Sequence, residues 1–246
     1  MSRASENSSQ RPGRVVIQAG GVGSRLRPYT TVVPKPLMPV ADMPILEIVI
    51  RQLAARGFTD VTITIGHLAH LIRSFFGDGS AFGAHIDYVV EDTPLGTIGP
   101  LTRVDRLDGP FLVMNGDLLT DIDYRRFMDG HVASDAPMTV AVCEKAVPIS
   151  LGVIEFDGQR QVTGFQEKPV KTFSVSMGIY AMNREMLDHI PADTYFGFDD
   201  LMEQVIRREI PVRVAPFDGL WLDIGRHEDY EQASRVFEEH RDRFFG

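Results

Sequence analysis

Residues 14–40 read RVVIQAGGVGSRLRPYTTVVPKPLMPV, and the first third of that stretch decides the fold. RVVIQA is a short β-branched run that stops at a pair of glycines, the pattern of a buried strand closed by a turn. In an open parallel sheet the ligand crevice lies at the carboxyl ends of the strands, so whatever follows Ala19 faces it. Gly20, Gly21 and Gly23 permit positive φ and let backbone N–H groups converge on phosphate oxygens. Ser24 continues the same loop, and Arg25 supplies a planar fork matched to phosphate. Residues 14–38 hold four cations (Arg14, Arg25, Arg27, Lys35) and no acid. The whole chain carries −9 and this stretch +4, so the remainder carries −13. A small polyanion can read such a patch, whereas nucleic acid or an anionic membrane would be repelled by the summed field.

Outward from this loop, apolar runs alternate with amphipathic ones. Residues 44–56 place Ile45, Ile48, Val49 and Leu53 on one helical face, with Pro44 inside the start and Gly57 past the end. Strands are expected at 61–66 (VTITIG), 85–90 (HIDYVV) and 111–115 (FLVMN), with helices at 68–76 and 99–107 between them. Such alternation implies right-handed crossovers and a mainly parallel sheet flanked by helices, a Rossmann-like α/β fold. After Pro137 strand signals come in series, MTVAVCE, GVIEF, QVTGFQE and VSMGIYAM, which read as an antiparallel extension laid beside the first half. Helical patterns return at 184–189, 198–208 and 228–240, with a strand PVRVAPF before the last. The polar start, residues 1–13, reads as a disordered tail without a secretory core, and 14–246 as one domain.

Two standard phosphate loops fail. The dinucleotide fingerprint wants a third glycine where Leu26 stands, and the Walker loop wants a Gly-Lys-Ser/Thr tripeptide that the chain lacks. What residues 20–30 do resemble, with PKP at 34–36, is the GGxGxRLxPxT…PKP signature of the sugar-1-phosphate nucleotidylyltransferases, or NDP-sugar pyrophosphorylases. PLGT (94–97), NGD (115–117), EKP (167–169) and WLDIG (221–225) follow in the expected order, so the resemblance runs from Arg14 to about Ala233.

The resemblance implies attack of a sugar 1-phosphate on the α-phosphorus of an NTP, with pyrophosphate leaving. It implies catalytic roles for Arg25, Lys35, Asp117 and Lys168, and a Mg²⁺ ion shared by Asp117 and Asp223, a hard cation suited to few carboxylates plus phosphate oxygens. Ala19, Gly20, Gly21, Gly23, Ser24, Arg25, Lys35, Glu91, Gly96 and Thr97 would bind the nucleotide. Asn115, Gly152, Glu167, Lys168, Ser176, Gly178 and Trp221 would bind the sugar phosphate. Two positions depart from the family pattern: Gln18 stands where Leu is usual, and Ser176-Met177-Gly178-Ile179-Tyr180 replaces Asn-Ala-Gly-Ile-Tyr. The larger Met177 puts sugar recognition in question. Glu91 offers acceptors only, suited to the adjacent N1–H and N2 donors of guanine, and EDTPLGT resembles guanylyltransferases acting on mannose or heptose 1-phosphates. GTP is therefore the expected donor, with UTP or dTTP the alternative. A catalytically dead sugar-nucleotide sensor is the alternative class, and it should have lost phosphate or metal residues that are all present.

Composition agrees with this reading. At 43% hydrophobic residues and a mean hydropathy of −0.07, with no run of 18 apolar residues, the chain reads as an ordinary globular protein. One cysteine, Cys143, excludes an intrachain disulfide, fits the cytoplasm and reads as a small buried hydrophobe. Seven histidines without ligand spacing argue against zinc. The terminal EEHRDRFF reads as a solvated helix whose stripe of Val236, Phe237 and Phe244 could serve a homo-oligomer contact. With no residues after 246, the expectation is a minimal version without the left-handed β-helix some relatives append.

Overall fold

In the computed structural model, which describes residues 13–245, β1 (Val15–Ala19) is an interior strand of a seven-stranded sheet. Val15, Val16 and Ile17 are wholly buried there. The expected tail, residues 1–13, lies outside the described residues apart from Gly13. A small ribbon of β2 (Pro39–Val40) and β3 (Met43–Pro44) leads into α1 (Ile45–Ala55), followed by β4 (Asp60–Ile65), α2 (Ala69–Phe76) and β5 (His85–Val90). Then come β6 (Phe111–Asn115), β7 (Leu118–Thr120) and α3 (Tyr124–Val132). The second half holds β8 (Met138–Pro148), β9 (Val153–Phe156), β10 (Val162–Gln166), β11 (Val170–Met182), α4 (Phe198–Arg207), β12 (Val212–Phe217), β13 (Trp221–Asp223), α5 (His227–Glu239) and α6 (Arg241–Phe245). The sheet order is β12-β8-β11-β6-β1-β4-β5. β1, β4, β5 and β6 are mutually parallel, β11 lies antiparallel to both β6 and β8, and β12 runs parallel to β8.

Alternation along β1 assigns its side chains to two cores. Val15, Ile17 and Ala19 face the layer of α1, α2 and α3, packing with Leu46, Leu53, Ile72 and Phe127. Val16 faces the other layer, with Val113, Ile98, Tyr180 and Leu201. A third cluster joins Leu26 of the glycine loop to Ile224, Ala233, Phe237 and Phe244. The apolar stripe of the C-terminal helices is therefore spent inside the chain, bracing the loop from behind. This corrects the dimer contact expected of it, since two of its three residues are buried.

Other expectations are corrected as well. The helix expected at 99–107 is a five-residue 3-10 turn, Gly99–Arg103. Pro100 lacks a donor, Val104 is already extended, and positive φ at Arg106 prevents continuation. The pattern at 184–189 is likewise 3-10, Arg184–His189. Of the four strands read in series, only β8 and β11 join the main sheet, while β9 and β10 pair solely with each other. The outer parts of β8 and β11 leave the core and become an exposed arm. Cys143, where β8 leaves the core, is half-buried rather than buried.

α3 was not foreseen. Tyr124, Phe127, Met128 and His131 form its buried face, and Asp123 caps it by accepting from Arg126 N–H at 3.0 Å. His131 is 1% exposed, with Nδ1 2.9 Å from Thr139 Oγ1 and Nε2 3.2 Å from Asn183 Oδ1. Burial holds its pKa below the usual 6.5. A histidine kept neutral on folding binds its proton more readily when unfolded, so its contribution is intact above pH 6.5 and fades as pH falls towards the folded pKa. Tm should therefore decline below pH 6.5. His131→Asn should start from a lower Tm at pH 8 and decline more shallowly; an unchanged slope would show that His131 is not the group responsible.

Candidate active site

The glycine loop is fixed by a few local contacts. Gly23 sits at φ +64, where an added Cβ would lie 2.9 Å from Thr30 Cγ2, so only glycine fits. The Thr30 hydroxyl donates to Gly23 O at 2.8 Å, closing the loop. The following 3-10 turn, Ser24–Leu26, drives Leu26 into the third core and leaves Ser24 and Arg25 exposed at the mouth. Pro34 and Pro36 are buried on either side of Lys35 and fix its backbone, and the Lys35 ammonium pairs with Asp117 Oδ2. These side chains are only 11% and 23% exposed.

Asp117 follows Asn115-Gly116 at the carboxyl end of β6, where Gly116 N–H donates to Gln18 O at 2.8 Å. β13 pairs antiparallel with β7, setting Asp223 opposite Leu118, while Ile224 N–H donates to Asp117 O at 3.2 Å. This tiny ribbon carries Asp223 from the far end of the chain to Asp117. Partial burial and then the charge of Asp117 raise the Asp223 pKa, against the pull of Lys35 and Arg25. Arg25 approaches from the same side, its guanidinium packed over Gly225. Asp117 Oδ1 is buried without a hydrogen-bond partner. An orphaned carboxylate oxygen next to a second carboxylate suits a divalent cation. Among the described residues no group of three or more His, Cys, Asp or Glu could hold a metal, so further ligands would have to be substrate or water.

Three cavities open here. One of about 210 Å³ is walled by Gly21, Gly23, Ser24, Arg25 and Lys35. A second, of about 360 Å³, is lined by Glu91, Gly96, Thr97, Asn115 and Tyr195. Gln18, Gly21 and Asp117 border both. A third, of about 830 Å³, lies on the other side of Asp223, with Trp221, Cys143 and Lys145 in its walls. Glu91 is tied into the second: Oε2 accepts from Leu95 N–H at 2.9 Å and Oε1 lies over Gly20, while partial burial raises its pKa. Gly96 has φ +82 and packs where an added Cβ would be 2.6 Å from Phe196 O. Thr97 Oγ1 accepts from Phe198 N–H at 2.9 Å and so fastens the start of α4.

The structure thus brings together Ala19, Gly20, Gly21, Gly23, Ser24, Arg25, Lys35, Glu91, Gly96, Thr97, Asn115, Asp117 and Asp223. It does not bring Gly152, Glu167 and Lys168 to these cavities. They cluster on the exposed arm, where Lys168 Nζ is 4.0 Å from Glu167 Oε1 and Glu167 packs beside Gly152. Gly178 lies beneath the Asn115 amide, and Ser176, exposed, accepts from Gly178 N–H at 3.3 Å. Met177 points into the core, fully buried, so its bulk does not enter a cavity; its carbonyl accepts from Trp221 Nε1 at 3.0 Å. Gln18 and Tyr195 line the second cavity without having been singled out as binding residues. For Gln18 the signal was a polar side chain in an otherwise apolar central strand.

A mainly parallel sheet, a glycine loop at its carboxyl edge and paired carboxylates fit one class, nucleotidyl-transfer proteins of α/β type. The chain belongs to the nucleotidyl transferase family, whose model matches residues 14–240. A UTP–glucose-1-phosphate uridylyltransferase of Synechocystis sp. is 32% identical over 244 residues, covering 90% of this chain and 62% of that protein. A mannose-1-phosphate guanylyltransferase of Mycobacterium tuberculosis is 31% identical over 233 residues, covering 89% and 63%. The chain thus spans less than two thirds of the length of these relatives. Among solved structures, HddC from Yersinia pseudotuberculosis superposes with a TM-score of 0.72 at 23% identity, covering 92% of this chain and 99% of that one, which shows the shared fold.

Proposed function

We propose that the chain transfers a nucleoside monophosphate from an NTP to a sugar 1-phosphate, giving an NDP-sugar and pyrophosphate. The observation that carries this reading is the meeting, at Asp117, of a cation-walled cavity of triphosphate character with a larger cavity lined by Glu91 and Gly96. Backbone N–H groups from Ala19 to Ser24 cradle the phosphates, and Arg25 and Lys35 neutralise the departing pyrophosphate. The reaction is an in-line displacement, so alignment and charge do most of what catalysis requires. Asp117 and Asp223 fit a Mg²⁺ ion, which when bound would supply Lewis-acid polarisation of the phosphoryl oxygens. To the sugar side we assign Asn115 on the second cavity and Trp221 on the third, with Gly178 against Asn115 and Ser176 hydrogen-bonded to Gly178. Gly152, Glu167 and Lys168 stand on the exposed arm away from these cavities, and we assign them to the sugar phosphate on the resemblance alone. The single cysteine and polyanionic substrates fit a cytoplasmic enzyme; among the described residues no helix is long and apolar enough to cross a membrane.

Guanine is the base we assign, with a mannose- or heptose-type sugar. Glu91 keeps acceptor capacity on Oε1, and the resemblance to a mannose-1-phosphate guanylyltransferase at 31% identity favours the same choice. The uridylyltransferase relative at 32% makes UTP the second reading. Pyrophosphate release measured for GTP, UTP and dTTP across a panel of sugar 1-phosphates tests both levels. We expect kcat/KM for GTP to exceed the others at least tenfold, about 1.4 kcal/mol. A tenfold preference for UTP or dTTP overturns the guanine assignment, and no release with any pair overturns the function.

A further inference from the structure

Gln18 sits one residue before the end of β1, on the face that Val16 buries. Strand register sets it level with Thr64 on β4 and Asn115 on β6. Registered residues of parallel strands share a face, so these three form a polar row at the carboxyl edge of an apolar sheet. Both amide atoms of Gln18, Nε2 and Oε1, are buried without a hydrogen-bond partner. Leaving a buried donor and acceptor unmade is costly, and an apolar side chain of similar size would avoid that cost. The strand therefore carries a destabilising residue where its neighbours demand none.

Gln18 also borders both the cation-walled cavity and the cavity of Glu91 and Gly96. On the reading given under Proposed function, phosphates occupy the first and the base the second. The ribose of such a nucleotide has to cross the floor between them, over Gln18. The chemistry of the two orphaned atoms narrows the ligand further. A phosphate offers acceptors only and would satisfy Nε2 while leaving Oε1 bare. Vicinal hydroxyls each donate and accept, so a cis-diol satisfies both atoms whichever way the amide is turned. We propose that Gln18 reads the ribose 2′,3′-diol of the nucleotide, donating from Nε2 to one hydroxyl and accepting at Oε1 from the other.

The test compares wild type with Gln18→Leu, using the ribo-, 2′-deoxy- and 3′-deoxy-triphosphates of the preferred base at saturating sugar phosphate. Wild type should favour the ribonucleotide over at least one deoxy analogue by about tenfold in kcat/KM. Gln18→Leu should lose about tenfold with the ribonucleotide, through KM, and treat all three alike. Ligand-free Gln18→Leu should also gain about 2–4 °C in Tm, because it removes two unsatisfied buried atoms. A purely structural glutamine would instead give a lower Tm. An equal loss for ribo- and deoxynucleotides overturns the proposal, as does a fall in Tm. Thermal-shift titration with the same three nucleotides separates this inference from the reading beneath it, because it reports ribose discrimination even if no sugar phosphate is turned over.

Discussion

Asp117→Asn should lower kcat about a thousandfold, and raising Mg²⁺ should not restore it. Asp117 is the hub of the crevice: Oδ2 pairs with Lys35, Oδ1 is buried without a partner, and Asp223 stands beside it through the β7–β13 ribbon. Asparagine keeps the shape and an acceptor for Lys35 but removes the charge that a cation would share with Asp223. A thousandfold corresponds to about 4 kcal/mol of transition-state stabilisation, a reasonable share for one of two carboxylates in the proposed divalent-ion site. The readout should not be turnover alone. Wild type should show a Mg²⁺-dependent rise in Tm in the presence of NTP, and Asp117→Asn should lose most of that rise. Near-normal turnover with Mg²⁺, or an intact Mg²⁺-dependent shift, would remove the metal assignment.

How much of this was legible in the sequence depends on how local each requirement is. Gly23 and Lys35 were readable because their demands lie within a dozen residues: a positive φ, a closing threonine, two prolines around a cation. The parallel half was equally readable, since β-branched runs and 3.6-residue stripes alternate there. Asp223 could be placed beside Asp117 only through resemblance, because three-residue strands such as β7 and β13 carry no periodicity. The arms of β8 and β11 also escaped. Their outer halves read as sheet strands, but nothing in the sequence says that they leave the core and hold Gly152, Glu167 and Lys168 away from the cavities. α3 was hidden by Arg125, Arg126 and Asp129, which dilute an apolar face whose fourth member is the buried His131. Met177 shows the reverse case. Its size suggested a change in the sugar pocket, and the strand's alternation turns it into the core instead.

Lys35→Ala should cost both activity and stability, and the two losses can be separated. Activity should fall by about a hundred- to a thousandfold, because Lys35 is the more buried of the two cations at the smaller cavity and, on the function proposed above, would face the charge that develops as pyrophosphate departs. Arg25, exposed at the mouth, should cost less when removed. The stability loss has a different origin. Without Lys35, Asp117 keeps its charge in a crevice where it is only 23% exposed, with neither oxygen compensated. Removing one partner of a fully buried pair costs about 3–5 kcal/mol, and partial exposure should bring this one to about 2 kcal/mol. Adding Asp117→Asn to Lys35→Ala removes the stranded charge, so the double variant should recover most of the lost Tm and none of the lost turnover. Lys168→Ala serves as the contrast: on the exposed arm it should raise the sugar-1-phosphate KM and leave the NTP KM alone. If the double variant were no more stable than Lys35→Ala, the ion pair would not be what steadies this crevice. If Lys35→Ala kept wild-type turnover, phosphate neutralisation would have to be assigned to Arg25 alone.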